Sequence, residues 1–170
     1  MSAQNERLDP LLSEYIQENP TISYVQPTDP WIIQKFISGV EILFGRKKIE
    51  SIYDQLKQSP FDVECFFTAA LKATQIESCY DDKKLAALPS KGPLVFVANH
   101  PFGVVDGLAL CDMAIKARGN FRILINAMLC QDRDLARHFL PIDFRETKAA
   151  IKNNIRTKKM AQQCLEDDIP

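Results

Sequence analysis

The sequence predicts an α/β protein in which N-terminal helices precede a mostly parallel β-α-β layer. In the first half of the chain, apolar residues recur at helical spacing as far as residue 73. In the second half, the apolar run at residues 94–98 is typical of a strand buried on both faces, and residues 122–126 are the next predicted strand. Helix-length stretches over residues 107–117 and 147–166 follow these runs, and alternation of strand and helix favours a parallel sheet.

Three helices are predicted between residues 30 and 73. Asp29 is a good N-cap for the first, with Pro30 at its first position, and Arg46 begins the second. The third follows Ser59-Pro60-Phe61-Asp62, a capping-box sequence. Their apolar faces are expected to pack as a helix–helix core rather than face lipid. These positions are Ile33, Phe36, Ile37, Val40, Phe44, Ile49, Ile52, Tyr53, Leu56, Val63, Phe66, Phe67, Ala70 and Leu71.

The chain is expected to divide at residue 29. Residues 1–29 contain three prolines and little periodicity, which predicts an N-terminal arm, and residues 30–170 form the domain. Within the domain, residues 75–80 alternate like an edge strand and residues 81–84 are typical of a solvated turn. A short helix through Leu135 and His138 is expected before the long C-terminal helix.

Composition excludes several classes of protein. Lys+Arg 21 against Asp+Glu 22 gives a net charge of -1, so we expect no nucleic-acid partner. No run approaches the roughly 18 apolar residues of a membrane-spanning helix, and the polar N-terminus is not a secretory signal. The 5 cysteines form no C-x-x-C pair and there are only 2 histidines, so we expect a reducing cytoplasmic environment and no bound metal.

The chemistry of the chain concentrates between residues 98 and 107. His100 follows a predicted buried strand, at the end where open α/β sheets place their sites. Gly103 permits a sharp turn, and Asp106 is expected at the N-cap of the next helix, able to fold back and orient the imidazole. The residues leave two interpretations open. The pair either takes a proton from a nucleophile on the substrate, or it is structural and holds the turn.

The same segment resembles a known family signature. Residues 97–108 read Val-Ala-Asn-His-Pro-Phe-Gly-Val-Val-Asp-Gly-Leu. This is similar to the signature of glycerolipid (lysophosphatidate-type) acyltransferases, and most similar to their hemolysin-like branch, which includes ornithine-lipid acyltransferases. The branch has Asn-His-Pro-x-Gly-Gly-x-Asp-Gly, with five residues between His and Asp. Residues 43–53 and 89–93 resemble the branch as well, and the likeness extends from residue 31 to residue 168.

The resemblance implies a fold of the glycerol-phosphate acyltransferase type and a role for each motif residue. His100 would be the general base for an acceptor hydroxyl or amine, and Asp106 would orient it. The acyl donor would be a thioester of acyl carrier protein or coenzyme A, used as a co-substrate, with no other cofactor. Asn99 and Gly103 would bind substrate, Gly103 through nearby N–H groups that stabilise an oxyanion. Val104 stands where the branch has Gly, which predicts a crowded turn.

Two further family blocks bear on the substrate and the fold. Residues 139–145 loosely resemble the block that supplies a cation, so Arg145 is either a phosphate clamp or a solvated arginine before a helix. The third block, a strand ending in a Phe-Pro-x-Gly-like turn, is not found before Pro170. The resemblance thus implies an acyltransferase layer that is incomplete at the C-terminus. Its unpaired edge predicts partner strands or a homo-oligomer.

The last predicted helix is basic, which bears on location. Its cations can bind anionic lipid or an acidic carrier protein, or they simply form a solvated face. These cations are Arg145, Lys148, Lys152, Arg156, Lys158 and Lys159. Together with the lysolipid or amino-lipid acceptor that the resemblance implies, this places the protein peripherally on the inner face of the membrane. The alternative function is a non-catalytic lipid- or carrier-binding module, or an inactive fragment of such an enzyme. A cysteine hydrolase using Cys111 is disfavoured because no nearby cation would lower its pKa.

Overall fold

A computed structural model describes residues 10–18, 20, 25, 30–43, 46–58, 62–101 and 103–170. In chain order its helices and strands are α1 (Pro10–Ser13), α2 (Trp31–Leu43), α3 (Arg46–Gln58), α4 (Val63–Ala73), α5 (Asp82–Ala86), α6 (Val104–Arg118), β1 (Ile123–Asn126), β2 (Phe139–Ile142) and α7 (Lys148–Glu166). The 3-10 turns Ala127–Leu129 and Ala136–His138 lie between the two strands.

The chain divides into two compact units. The first, here called the sheet unit, comprises Met1–Pro20, Lys91–Val95 and Asn120–Pro170. The second, the helical unit, comprises Thr21–Ser90 and Phe96–Gly119. The division at residue 29 expected from the sequence stays a prediction.

Helix α4 provides the core of the helical unit, as predicted. Asp62 caps its start by accepting a hydrogen bond from the Glu64 N–H at 2.9 Å, and all five predicted core positions of this helix are buried. The Phe66 ring meets Tyr53 and Phe67 edge-on, with centroid distances of 6.3 and 5.3 Å. The predicted aromatic seam is therefore core at these positions, and such edge-on pairs add to the burial energy of the rings.

The predicted start and buried face of α2 agree less well with the structure than those of α4. Helix α2 begins at Trp31, one residue after Pro30, and Asp29 lies outside the described residues. Ile33, predicted as core, is 47% exposed, so the first turn of α2 does not join the core. The side chains of Phe36, Val40 and Phe44 also lie outside the described residues.

A buried carboxylate that the sequence analysis missed joins α4 to α6. Asp112 is only 3% exposed, and its two oxygens are occupied by different partners. The Thr68 hydroxyl donates to one, and the Lys116 ammonium lies 2.6 Å from the other. Lys116 also donates to the Tyr80 hydroxyl at 3.0 Å. Because a buried charge is tolerated only when it is paired and hydrogen-bonded, this network fixes how the two helices pack.

Two predicted strands are wrong. Residues 75–80 have no regular structure, and the solvated turn after them is the short helix α5, because the Asp81 carboxylate accepts hydrogen bonds from two N–H groups of its first turn. Residues 94–98 are not a strand either, and Val95 and Val97 are 64% and 85% exposed. A strand is defined by its pairing, and within the described part of the chain these residues pair with no neighbour.

The sheet unit contains a two-stranded parallel sheet in the described residues, in which β1 is the strand predicted at residues 122–126 and β2 is a strand that was not predicted. Strands β1 and β2 pair in parallel, from Ile123 opposite Phe139 to Asn126 opposite Ile142. Helix α7 packs against β2, where the buried Thr157 hydroxyl donates to the Pro141 carbonyl at 2.7 Å. The long C-terminal helix is confirmed, with Thr147 as its N-cap.

His138, one of the two histidines, is a buried structural residue of the sheet unit. Its side chain stacks on Phe121 at 4.6 Å between ring centroids, and the residue is 2% exposed. Nε2 accepts a hydrogen bond from Arg137 Nε at 3.1 Å, so Nδ1 carries the proton and donates to the Phe121 carbonyl at 3.0 Å. Burial lowers the pKa of His138 to about 4. The ring is therefore held in one neutral tautomer.

Part of the predicted arm packs on the sheet unit. Leu11 and Leu12 of α1 are each 4% exposed, and the Gln17 N–H donates to the Gln131 carbonyl at 3.1 Å. Nowhere in the part of the chain that the structure describes is a helix long and apolar enough to cross a membrane.

Candidate active site

The turn before α6 is shaped by Gly103. Its φ of 62° and ψ of -123° lie where residues with side chains are strained, while a Cβ built there would meet no atom within 4 Å. Glycine is therefore required by backbone torsion rather than by lack of space. The Gly103 carbonyl accepts the Gly107 N–H at 3.3 Å, which begins the helix and carries the following residues round toward His100.

His100 and Asp106 are brought together by this turn, as the spacing predicted. His100 Nδ1 lies 3.7 Å from Asp106 Oδ2. This separation is longer than a hydrogen bond, and contacts between catalytic groups are often long in ligand-free sites. The side chains are 64% and 21% exposed, so the imidazole is open to a substrate while the carboxylate is partly shielded.

The predicted helix position of Asp106 is wrong by three residues. Gly103 is the N-cap, and Asp106 is the third residue of α6 rather than its cap, because the helix begins as soon as the chain leaves the positive φ at Gly103. Asp106 still lies in the first turn, where the helix N–H groups and the helix dipole favour a carboxylate. His100 likewise follows a segment without regular structure, not the strand that was predicted.

The crowding expected at Val104 is absent. Val104 is the first residue of α6 and is 39% exposed. Among the described residues of this turn, only Gly103 has a positive φ. A valine at position 104 therefore leaves the path of the turn unstrained.

The roles of the other predicted substrate residues, Asn99 and Arg145, stay predictions. Asn99 is exposed and directly precedes His100. Arg145 belongs to the sheet unit and binds Asp143, with Nη2–Oδ2 at 2.6 Å and Nε–Oδ1 at 2.9 Å. The guanidinium lowers the pKa of Asp143, which is 6% exposed, and the carboxylate raises the pKa of Arg145. Neither sequence interpretation of Arg145 foresaw this partner.

An apolar cleft of about 390 Å³ lies in the helical unit, which also contains His100 and Asp106. The cleft was not foreseen, because it forms between residues far apart in sequence. It is lined by Tyr80, Asp81, Lys84, Leu85, Leu88, Phe96 and Met113. A hydrocarbon chain is the kind of group that such a lining accepts.

Alternative chemistries find little support in the described residues. No group of three or more His, Cys, Asp or Glu side chains among them is arranged to hold a metal ion. Burial, with a smaller contribution from Asp112, raises the pKa of the Cys111 thiol to about 12. Because the thiolate is the nucleophile, Cys111 is unsuited to covalent catalysis at neutral pH.

Comparison with known protein families shows the class of this chain. The chain belongs to the acyltransferase family, since the family described as "Acyltransferase" matches residues 46–164, from the start of α3 to the last turns of α7. The resemblance predicted from the sequence is thereby confirmed at the level of an acyltransferase family.

A curated relative matches part of the chain. It is a lyso-glycine lipid O-acyltransferase from Phocaeicola vulgatus, 42% identical over 62 residues. The match covers 36% of this chain, and the chain spans 22% of the length of that relative. No solved structure matches the chain.

Proposed function

We propose that this protein transfers a fatty acyl group from an acyl thioester to a hydroxyl or amine of a lysolipid-type acceptor. His100 is the general base and Asp106 orients it. The observation that carries the proposal is the approach of His100 Nδ1 to Asp106 Oδ2 at 3.7 Å, across a turn in a chain of the acyltransferase family. An exposed imidazole beside a shielded carboxylate is the arrangement that proton abstraction requires.

The geometry assigns a role to each imidazole nitrogen. Nδ1 faces the carboxylate, which favours the tautomer with its proton on that nitrogen. Nε2 then takes the proton of the acceptor hydroxyl while the oxygen attacks the thioester carbonyl. Collapse of the tetrahedral intermediate breaks the carbon–sulfur bond, and the imidazolium returns its proton to the leaving thiolate. The Asp106 carboxylate stabilises the imidazolium between these two transfers.

Stabilisation of the oxyanion is assigned to the start of α6. The first N–H groups of a helix have no acceptor within the helix, and the dipole favours negative charge there. Gly103 opens this end of the helix without a side chain and without a side-chain cap. The developing oxyanion is therefore placed against the N–H groups of the first turn.

The relative favours one acceptor class. Its name describes O-acylation of a lysolipid with an amino-acid headgroup, so we propose a hydroxyl of a lyso-amino lipid as the acceptor. This is in keeping with the hemolysin-like branch that residues 97–108 resemble. The acyl donor is acyl carrier protein or coenzyme A thioester, and the apolar cleft in the helical unit suits its chain. Since the acceptor is a lipid, the protein works peripherally at the cytoplasmic face of the membrane.

Acyl transfer by the full chain tests the proposal. Purified protein is mixed with a thioester of acyl carrier protein or coenzyme A that carries a radiolabelled acyl group, and with a lyso-amino lipid in micelles. His100→Ala should lower kcat/KM by roughly 10²- to 10⁴-fold, the usual contribution of a general base. Asp106→Asn should lower it less, while Asp54→Asn, an exposed carboxylate on α3, is the control. Unchanged transfer in His100→Ala would refute the base assignment. Lipid binding without any turnover would favour the non-catalytic binding module.

A further inference from the structure

One exposed face of α7 combines cationic and apolar side chains. This face, here called the lysine–isoleucine face, consists of Lys148, Ile151, Lys152, Ile155 and Lys159. All five are exposed, and the two isoleucines are 59% and 55% exposed. At 3.6 residues per turn they fall within an arc of about 100°, roughly opposite the positions that face β2.

The opposite side of α7 fixes this orientation within the sheet unit. Ala150 and Thr157 are fully buried, and Thr157 is hydrogen-bonded to the Pro141 carbonyl. Asn154 donates to the Asp143 carbonyl and accepts the Asp143 N–H, both at 2.8 Å. Because these contacts hold the helix to β2, the lysine–isoleucine face stays turned outward.

The charge of α7 has one sign over most of its length. Between residues 148 and 165 the helix carries five cations and no Asp or Glu. An ordinary solvated helix face mixes both signs and gains from pairs three or four residues apart. Among the described residues, no carboxylate forms an ion pair with Lys148, Lys152 or Lys159. A partner suited to this face therefore supplies negative charge for the lysines and also buries the isoleucine side chains.

We propose that the lysine–isoleucine face binds the surface of an anionic phospholipid bilayer. The isoleucines enter the boundary between headgroups and acyl chains, and the lysines meet the phosphates. Lysine and isoleucine interleave along about 16 Å of helix, as in helices that lie in a membrane interface. The exposed Phe144, at 74%, adds an apolar side chain just before the helix. A bilayer offers anionic and hydrocarbon contacts along the whole strip, whereas an acidic protein would need matching pockets.

This inference rests on the proposed function and extends it, since it places a lipid-acylating protein on the membrane that contains its acceptor lipid. It nevertheless uses none of the residues assigned to proton transfer. The two proposals can therefore fail separately.

Vesicle flotation of the full chain tests the surface. Vesicles of phosphatidylglycerol mixed with phosphatidylcholine should bind the protein, phosphatidylcholine alone should bind it weakly, and high salt should release it. Lys148→Gln/Lys152→Gln/Lys159→Gln should weaken partitioning on the order of 100-fold, because each lysine near an anionic surface is worth about fivefold. Ile151→Ser/Ile155→Ser should weaken it roughly 10-fold.

Matched control variants change the same residue types elsewhere. Lys47→Gln/Lys48→Gln/Lys83→Gln removes three exposed lysines of the helical unit, and Ile32→Ser/Ile33→Ser removes two exposed isoleucines of α2. Both controls should bind vesicles like the parent. Circular dichroism confirms that every variant is folded.

Three results would overturn the proposal. The first is that the parent protein fails to bind anionic vesicles. The second is that the lysine control variant loses as much vesicle binding as the α7 variants. The third is that the α7 variants lose affinity for acyl carrier protein while their vesicle binding is unchanged. His100→Ala should bind vesicles like the parent. If vesicle binding holds and micellar acceptor is not acylated, the proposed function alone is wrong. If micellar transfer is normal and vesicle binding is absent, the surface alone is wrong.

Discussion

Acidification from pH 6.5 to about pH 4 should destabilise this protein through His138. The ring is 2% exposed, and both nitrogens are committed, one accepting from Arg137 and the other donating to the Phe121 carbonyl. A proton added at Nε2 would displace the Arg137 hydrogen bond and place a second positive charge beside that guanidinium. The folded state therefore resists protonation that the unfolded chain accepts freely.

The magnitude follows from the two pKa values. Burial lowers the pKa of His138 from 6.5 to about 4. The unfolded chain takes up a proton as the pH falls through 6.5, while the folded state does not until about pH 4. The stabilisation is complete above pH 6.5 and is lost progressively between these two values, up to about 3 kcal/mol in total.

Urea denaturation from pH 7.5 to pH 4, followed by circular dichroism, measures this loss. The comparison is with His138→Gln, which cannot titrate in this range but keeps an amide donor for the Phe121 carbonyl. The variant should be less stable than the parent at pH 7.5, and its free energy of unfolding should fall by about 3 kcal/mol less across the range.

Parallel pH profiles for parent and variant would refute the reasoning. The lowered pKa of Asp143 also makes the fold acid-sensitive, but its contribution is lost only as the pH falls below the ordinary aspartate value of 3.8. The two effects therefore occupy different pH windows. If the measurement is continued below pH 3.8, a loss of stability confined to that lower range would assign the acid sensitivity to Asp143 instead.

Two further stability predictions use single substitutions read out by urea denaturation. Gly103→Ala should lower the free energy of unfolding by about 1–3 kcal/mol because residue 103 has a positive φ. Gly107→Ala should raise it by about 1 kcal/mol, because Gly107 lies inside α6 and no atom is near its Cβ position. A change of the same sign in both variants would contradict the torsional argument. Asp112→Asn should lower the free energy of unfolding by about 2 kcal/mol, because it removes the carboxylate that pairs with Lys116. The control Asp54→Asn should change it by less than about 0.5 kcal/mol. Equal effects in the two variants would show that the buried network contributes nothing to stability.

Local signals in the sequence were sufficient for several elements. Helix α4 follows from Asp62 and the spacing of its apolar positions, and both are confirmed. The bounds of α7 and the strand predicted at residues 122–126 are also where short-range patterns place them, to within a residue. For the helices the information lies within one element, whereas the strand at residues 123–126 also required the distant strand β2 as its partner.

Features that depend on distant residues were not predictable in the same way. Residues 94–98 have the composition of a buried strand, but strand formation needs a paired neighbour, and composition does not supply one. Asp112 and His138 look like ordinary polar residues until Thr68 and Phe121 are brought beside them. Their burial is a property of the packed fold, not of the neighbouring sequence.

The candidate site was predicted in part. The spacing of His100 and Asp106 identified the pair, because one tight turn suffices to bring them together. The helix boundary was misplaced, since a glycine can begin a helix by torsion alone and leaves no side-chain signal. The Asp143–Arg145 pair was missed although the two residues lie two positions apart, and that spacing was the available signal.

The conformation of Gly103 has a consequence for protein engineering. Position 103 admits one residue type for reasons of torsion, while its neighbour Val104 is helical and 39% exposed. Side chains at 104 can thus be exchanged without rerouting the backbone that joins the imidazole to its carboxylate. Under the proposed function, such exchanges alter the surface beside the His100–Asp106 turn and keep its backbone path, so a library restricted to position 104 tests whether this surface affects the choice of acceptor.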